Sequence, residues 1–271
     1  MSLELRDVGV TFGGGLFAGP RKQAVRGVKL RLPSDAPHIL AIVGESGSGK
    51  TTLTRLLLGL LRPTTGQMLW QGRDIWGLDR ASWTAYRRAV QAIFQDPFGA
   101  YNPVYRVDRM LILPALNFGL AKTADEAHPL AEAALAAVGL RPAETLGRFP
   151  HQLSGGQRQR LMVARAMMLK PQVLVADEPV SMVDASLRAT ILESLSRLRT
   201  ETGMSLVYVT HDLATAYQIA DTIMVMRNGE VVEEGDVVSV IRAPAHAYTS
   251  ELVAALPPPD PTIDWGLETS P

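Results

Sequence analysis

The sequence has 271 residues, 46% of them hydrophobic and 20% charged, which favours a globular fold with a substantial core over disorder. Lysine plus arginine and aspartate plus glutamate number 27 each, so no global basic field favours nucleic acid as the main partner. The absence of cysteine excludes disulfides, thiolate nucleophiles and iron–sulfur clusters.

No segment has the character of a membrane span or a targeting signal. The apolar runs are all far shorter than the ~20 residues that cross a bilayer. The first residues also lack a basic patch followed by an apolar run, so we expect no secretory signal. The sequence therefore predicts a cytoplasmic protein, unless a partner holds it at a membrane.

Two segments near the start alternate between apolar and polar residues, which is typical of half-buried strands. Leu3–Phe12 is the first, Gly13–Gly15 break it, and Val28–Leu32 is predicted to be its antiparallel partner. Ile39–Val43 is instead continuously apolar and ends in glycine, as expected of a strand buried on both faces.

The next segments alternate between helical and strand patterns. Leucines recur at helical spacing from Leu53 to Leu61, and Arg62-Pro63 is predicted to end this helix. Turn formers follow Gln95, and an alanine-rich helical pattern runs through Leu130–Val138.

The last segments return to strands. Val173–Ala176 and Leu206–Val209 are again buried strands, and the segment around Asn228-Gly229 is predicted to be a hairpin. This order predicts an α/β fold with a mostly parallel sheet and a helical insertion.

The strongest motif is GESGSGKT, which fits the pattern of a phosphate-binding loop between a strand and a helix. Glycines let backbone N–H groups close around phosphate oxygens, and the following helix adds its positive end. A chance match is roughly 1 in 100 for a chain of this length, so we favour the functional interpretation over an ordinary glycine turn. The predicted nucleotide contacts are Gly44, Glu45, Ser46, Gly47, Ser48, Gly49, Lys50, Thr51 and Thr52.

Within this loop two side chains have specific predicted roles. Lys50 is predicted to reach the β and γ phosphates of ATP, and the hydroxyl of Thr51 is predicted to ligate Mg²⁺.

Residues for hydrolysis follow other predicted strands. Asp177 and Glu178 emerge at the end of VLVADEP, where Asp177 is predicted to hold Mg²⁺ and Glu178 to orient or deprotonate the attacking water. His211 is predicted to reach the γ-phosphate, and Gln95 to offer a carbonyl to the metal. Each residue alone would more often be a cap or a polar strand end, but the phosphate loop favours catalysis.

A second glycine-rich helix start occurs in LSGGQRQR, where Ser154 can cap and Gly155 and Gly156 leave backbone N–H groups open to an anion. One nucleotide rarely needs two phosphate cradles in the same chain, so this one is predicted to serve a nucleotide held by another subunit. The order of these motifs resembles that of the ATP-binding-cassette (ABC) ATPases, over about Leu3 to Pro258.

The resemblance implies a P-loop NTPase fold with a mixed-sheet core, an antiparallel β subdomain and a helical insertion. It implies an ATP-binding core at residues 1–95 and 159–235, a helical subdomain at 96–158 and a C-terminal extension at 236–271.

The same resemblance also implies a nucleotide-sandwiching dimer. Ser154, Gly155, Gly156 and Gln157 of one subunit would contact the nucleotide bound by the other, with Asp184 at the seam. An aromatic residue upstream of the phosphate loop usually stacks on adenine in this family. Phe12 is the first candidate and Phe17 the second.

Two stretches resemble the oligopeptide and dipeptide importer ATPases, namely FQDPFGAYNP and the ending APAHAYTSELVAALPPPDP. Ala247 replaces the proline that is usual in the second stretch. This resemblance implies a peripheral protein on the cytoplasmic face of the membrane, a second ATPase subunit of the same or a related chain, two transmembrane permease subunits and, indirectly, an extracytoplasmic solute-binding protein.

The sequence leaves alternatives open for the cargo and for the class of function. Oligosaccharides, nickel and glutathione-like molecules are also cargoes of the resembled subfamily. A soluble ABC ATPase acting on DNA or ribosomes, or within a phosphonate enzyme complex, is the alternative function, and zero net charge disfavours the nucleic-acid form.

Overall fold

The computed structural model describes residues 3–13, 21–32, 36–96, 99, 101–180 and 185–256. Its first sheet is antiparallel, with strand order β2-β1-β4-β5. The pairing of Leu3 with Leu32 and of Leu5 with Leu30 confirms the predicted antiparallel pair. The strands are β1 (Leu3–Phe12), β2 (Lys22–Leu32), β4 (Thr65–Trp70) and β5 (Arg73–Asp74).

The second sheet has the order β10-β9-β3-β8-β7-β6, and all its pairings except β9–β10 are parallel. Every residue of its central strand β3 is buried, as predicted, because helices and the first sheet cover both faces. The strands are β3 (Ile39–Val43), β6 (Val90–Ile93), β7 (Val173–Asp177), β8 (Ser205–Thr210), β9 (Thr222–Arg227) and β10 (Glu230–Asp236).

The helices connect these strands, and those within residues 107–168 pack on one another as a helical layer. The helices are α1 (Lys50–Leu57), α2 (Arg80–Ala89), α3 (Val107–Asn117), α4 (Ala124–Ala137), α5 (Pro142–Thr145), α6 (Gly155–Met168), α7 (Ala185–Thr202), α8 (Leu213–Ile219), α9 (Val237–Arg242) and α10 (Ala247–Ala254). Within these described ranges, no helix combines the length and the apolar character that a bilayer span requires.

The predicted end of the first helix is wrong. Leu57 is the last residue of α1, and Gly59 adopts a left-handed conformation with φ 64°. The N–H of Leu60 donates to the carbonyl of Arg55 (2.9 Å), and that of Gly59 donates to Leu56 (2.8 Å). This is a Schellman motif, in which glycine ends a helix without strain. The leucine spacing therefore continues past the point where glycine stops the helix.

The helical layer shares its core with the parallel sheet. Leu111 of α3, Leu135 of α4 and Leu161 of α6 are fully buried in one apolar cluster with Leu174 and Tyr208 of the sheet. The helix α6 also runs without interruption across the predicted boundary at residues 158 and 159. The division into three parts stays a prediction.

The C-terminal helices α9 and α10 cover the other side of β3 and β9. Ile241 and Tyr248 are buried in an apolar cluster with Val43 and Val225 of those strands. These two helices of the extension are therefore packed onto the sheet that carries the phosphate loop.

Candidate nucleotide-binding site

The phosphate loop occupies residues 44–49 between β3 and α1, and its backbone requires glycine at two points. Gly44 has φ 151°, and a Cβ there would lie 2.2 Å from the carbonyl oxygen of Met226. Gly49 has φ 109°, and a Cβ there would lie 2.5 Å from the carbonyl oxygen of Ala24. The backbone of neighbouring strands thus lies directly against the loop, and only glycine fits at these two positions.

The Lys50 side chain closes the loop from inside. Its Nζ donates to the carbonyl oxygens of Gly44 (2.6 Å) and Glu45 (2.8 Å). An ammonium has three donors, so these bonds use two of them. Burial lowers the pKa of Lys50, and the negative charges of Glu178 and Asp177 oppose that shift.

The acidic pair lies at the carboxyl end of β7. Burial is the main cause that raises the pKa of the Asp177 carboxyl to about 6, and the charge of Glu178 acts in the same direction. Lys50 and a hydrogen bond from the Thr51 hydroxyl act against that shift. Asp177 is therefore a buried carboxylate whose charge is only partly balanced by the protein.

Both carboxylate oxygens of Glu178 have side-chain partners from neighbouring strands. The Gln95 amide nitrogen donates to Oε2 at 2.9 Å, and His211 Nδ1 lies 3.0 Å from Oε1. Gln95 follows β6 and His211 follows β8, which flank β7 in the sheet. Parallel strands bring their carboxyl ends to one edge, so the sheet gathers residues that are far apart in sequence.

Oxygen donors near the phosphate loop fit Mg²⁺. The Thr51 hydroxyl contacts the Asp177 carboxyl, and Gln95, whose amide nitrogen donates to Glu178, carries a further oxygen donor. Among the described residues, no three acidic or histidine side chains cluster closely enough to hold a metal ion by themselves. That is the usual situation for Mg²⁺, which binds through few protein ligands together with substrate phosphates and water.

A cleft of about 310 Å³ lies along the phosphate loop, and its lining includes Phe12, Gln95 and Glu178. Phe12 is 43% exposed, so its ring is available to a base. A larger cavity, about 650 Å³, lies near His38 at the opposite edge of the sheet, away from these residues. The chemistry of the lining residues, rather than the volume of the cavity, therefore identifies the nucleotide site.

The cleft also contains residues that the sequence interpretation missed. Lys22 and Ala24 of β2 line it. Lys22 pairs directly with Phe12 across the two strands. The predicted partner strand begins only at Val28, whereas β2 begins at Lys22, so the prediction does not bring these residues opposite β1.

The second glycine motif begins α6, as predicted. Ser154 is the N-cap, its Oγ accepts from the N–H of Gln157 (3.2 Å), and the Gln157 side chain accepts from the Ser154 N–H (2.9 Å). Neither these residues nor Gly155 and Gly156 line the cleft in the part of the chain that the structure describes. Asp184 and Phe17 lie outside the described residues.

Gln159, two residues further along α6, is almost fully buried and donates to the carbonyl of Pro179 at 2.7 Å. Pro179 directly follows Glu178, so α6 is joined to the segment that carries this carboxylate.

A glycine loop between a parallel strand and a helix, with an acidic pair ending a neighbouring strand, defines a P-loop NTPase. The chain belongs to the ABC transporter family, whose model matches residues 25–181. It is an ATPase of the ABC type.

Curated relatives confirm the resemblance to peptide importer ATPases. The oligopeptide transport ATP-binding protein OppF of Escherichia coli (strain K12) is 38% identical over 97% of this chain and 79% of its own length. The dipeptide transport ATP-binding protein DppF of the same strain is 42% identical over 90% of this chain and 72% of its own length.

Solved structures confirm the fold. A dimeric ATP-binding cassette in a post-hydrolysis state, bound to ADP and Pi, matches with a TM-score of 0.76 at 28% identity and covers 87% of this chain and 98% of its own. CbiO1 of Clostridium perfringens, part of an ABC transporter complex, matches with a TM-score of 0.73 at 25% identity, covering 89% of this chain and 90% of its own.

Gly44 and Gly47 of the loop offer a matched test of the close packing. We expect Gly44→Ala to lower the free energy of unfolding by about 2–5 kcal/mol, because its Cβ meets backbone. Gly47→Ala should cost only about 1 kcal/mol, because Gly47 has φ 82° but its Cβ would meet nothing within 4 Å. Urea unfolding without nucleotide measures both, and equal losses would contradict the packing argument.

Proposed function

We propose that this chain hydrolyses ATP to drive a peptide importer whose membrane-spanning subunits are separate chains. The observation that carries the proposal is Glu178, held on both carboxylate oxygens beside a lysine-bearing phosphate loop. The names of the relatives support the cargo, since they refer to oligopeptide, dipeptide or peptide transport.

In this proposal the cleft holds ATP with its base at Phe12 and its phosphates over residues 44–52. Lys50 supplies positive charge to the β and γ phosphates from its remaining donor. Thr51, Asp177 and Gln95 would hold Mg²⁺, which neutralises phosphate charge when bound. The raised pKa of Asp177 supports this role, because a buried carboxylate is stabilised by a nearby cation.

Glu178 is the proposed base or orienting group for the attacking water. Gln95 and His211 fix the direction of its carboxylate, so the rotation that would turn it away from the cleft costs two hydrogen bonds. His211 is 62% exposed at its side chain, which leaves its ring accessible to a terminal phosphate. Together these residues position a water for in-line attack.

We further propose that two such chains form a head-to-tail dimer around two nucleotides. The capped start of α6 offers backbone N–H groups to an anion, but it does not line the cleft of its own chain among the described residues. The dimeric solved relative supports this arrangement. The partner is a second copy or a related ATPase subunit.

A groove between α2 and α3 is the proposed docking site for the permease subunits. Its volume is about 640 Å³, and its apolar lining includes Tyr105 and Leu113, both partly exposed. Arg87, Arg109 and Arg165 also line it, and none of the described lining residues is acidic. A permease segment with an apolar face and a carboxylate fits this combination.

Docking there would hold the chain at the cytoplasmic face of the membrane as a peripheral subunit. A solute-binding protein on the other side would then act only indirectly, through the permeases. In this arrangement most of the docking surface lies on the 96–158 segment, and Thr84, Arg87 and Arg165 of the ATP-binding core complete it.

We expect Glu178→Gln to slow ATP turnover by roughly 10²- to 10⁴-fold while nucleotide binding survives, because the amide cannot take a proton. Turnover by the purified transporter complex and equilibrium binding of ATP measure the two effects. Glu230→Gln is the control, since Glu230 is an exposed residue of the β9–β10 hairpin that pairs only with Arg26 of β2 among the ion pairs of the described residues. Unchanged turnover in Glu178→Gln would remove this residue from the mechanism.

Ser154→Arg tests the dimer. We expect it to abolish ATP-dependent dimerisation, because a bulky cation would fill the proposed second phosphate cradle. Thr123→Arg is the matched control, since Thr123 is likewise an N-cap, on α4. Size-exclusion chromatography of a Glu178→Gln background with ATP should show dimers for the control alone, and ATP-dependent dimers of Ser154→Arg would contradict the proposal.

Leu113→Arg tests the groove. We expect it to reduce co-purification of the two permease subunits roughly tenfold, because a charge replaces an apolar contact in the proposed interface. Leu130→Arg is the control, since Leu130 has nearly the same exposure, 38% against 37%, but lies on α4 outside the groove. Equal recovery of permeases with both variants would place the docking surface elsewhere.

A further inference from the structure

Tyr248 joins the C-terminal extension to the phosphate loop. It is the second residue of α10, and its side chain is 1% exposed within the apolar cluster that includes Val43. The guanidinium of Arg227 lies 4.5 Å from the centre of its ring. Packing and this cation–π contact fix the ring in place.

The hydroxyl of Tyr248 accepts a hydrogen bond from the backbone N–H of Glu45 at 3.1 Å. The carbonyl of the same peptide group, that of Gly44, accepts from Lys50 Nζ. A single peptide plane is therefore held at one end by the phosphate-binding lysine and at the other end by the extension.

This arrangement restricts the loop where glycine permits most freedom. Gly44 lies in a region of φ that side chains rarely adopt, so its own preferences do not fix the next peptide plane. Rotation of that plane would break the bond to Tyr248 and the bond to Lys50 together. The tyrosine hydroxyl thus stabilises the orientation of the carbonyl that orients the lysine.

The position of Tyr248 is itself well determined. The carboxylate of Glu233 on β10 accepts from the N–H groups of Ala245 (2.8 Å) and His246 (3.0 Å), and His246 Nδ1 accepts from the Tyr248 N–H (3.1 Å). Burial raises the pKa of the Tyr248 phenol, so the group is a neutral hydroxyl at physiological pH.

We propose that Tyr248 is a positioning residue for ATP, and that α10 is part of the nucleotide site rather than an appendage to it. This inference rests on the proposed function, because it assigns ATP to the loop. Its consequence is that removing one hydroxyl, 203 residues from Glu45 in the sequence, weakens ATP binding although that hydroxyl does not contact the nucleotide.

The test is Tyr248→Phe in the full chain, which keeps the ring and its contacts but loses the acceptor. We expect the dissociation constant and the KM for ATP to rise about 2- to 10-fold, the effect of one hydrogen bond, while kcat changes less than twofold. Tyr217→Phe is the matched control, since Tyr217 packs against the same apolar cluster. Its ATP parameters should equal those of the unmodified chain.

Hydrogen exchange of the Glu45 amide without nucleotide gives an independent measurement. Exchange should be faster in Tyr248→Phe than in the unmodified chain and unchanged in Tyr217→Phe. An unchanged KM, or equal effects in both variants, would overturn the inference. Failure of the unmodified chain to bind ATP would instead overturn the proposed function, and the exchange rates would still test the Tyr248 contact itself.

Discussion

The parallel alignment of β6, β7, β8 and β3 is the constraint on which the site depends. It places the phosphate loop and three polar strand ends along one edge, although they come from residues 44 to 211 of the chain. No local motif could bring Gln95 and His211 to the two oxygens of Glu178. The arrangement of these side chains is thus a property of the sheet and only secondarily of the loops that follow its strands.

That alignment concentrates charge where burial opposes it. Asp177 reaches a pKa of about 6, and the pKa of Lys50 is lowered, chiefly because both groups lose water. Glu178 adds strain of another kind, since its φ of 46° is unusual for a residue with a side chain. The apolar clusters offset these unfavourable contributions to the free energy of folding. A bound nucleotide with its cation would reduce the electrostatic contribution.

Much of the fold follows from sequence because its signals are local. The continuous run of β3, the alternation of β1 and the hairpin turn at Asn228-Gly229 each reflect burial or turn geometry over a few residues. The end of α1 was mispredicted because leucine periodicity outlasted the helix, while Gly59 ended it. The contact between Tyr248 and Glu45 spans 203 residues, and no spacing rule encodes it. Lys22 was missed for a different reason, because the predicted partner strand begins at Val28, whereas β2 itself begins with Lys22.

The hydrogen bond from Gln159 to the Pro179 carbonyl connects α6 mechanically to the segment that follows Glu178. Its donor belongs to the helix that starts at Ser154, and its acceptor follows Glu178 directly. Because the amide is almost fully buried, separating the two would leave polar atoms without water, which costs more than a surface bond. A force on the helical layer that tilts α6 would therefore also displace Pro179, and with it the backbone next to Glu178 in the same chain.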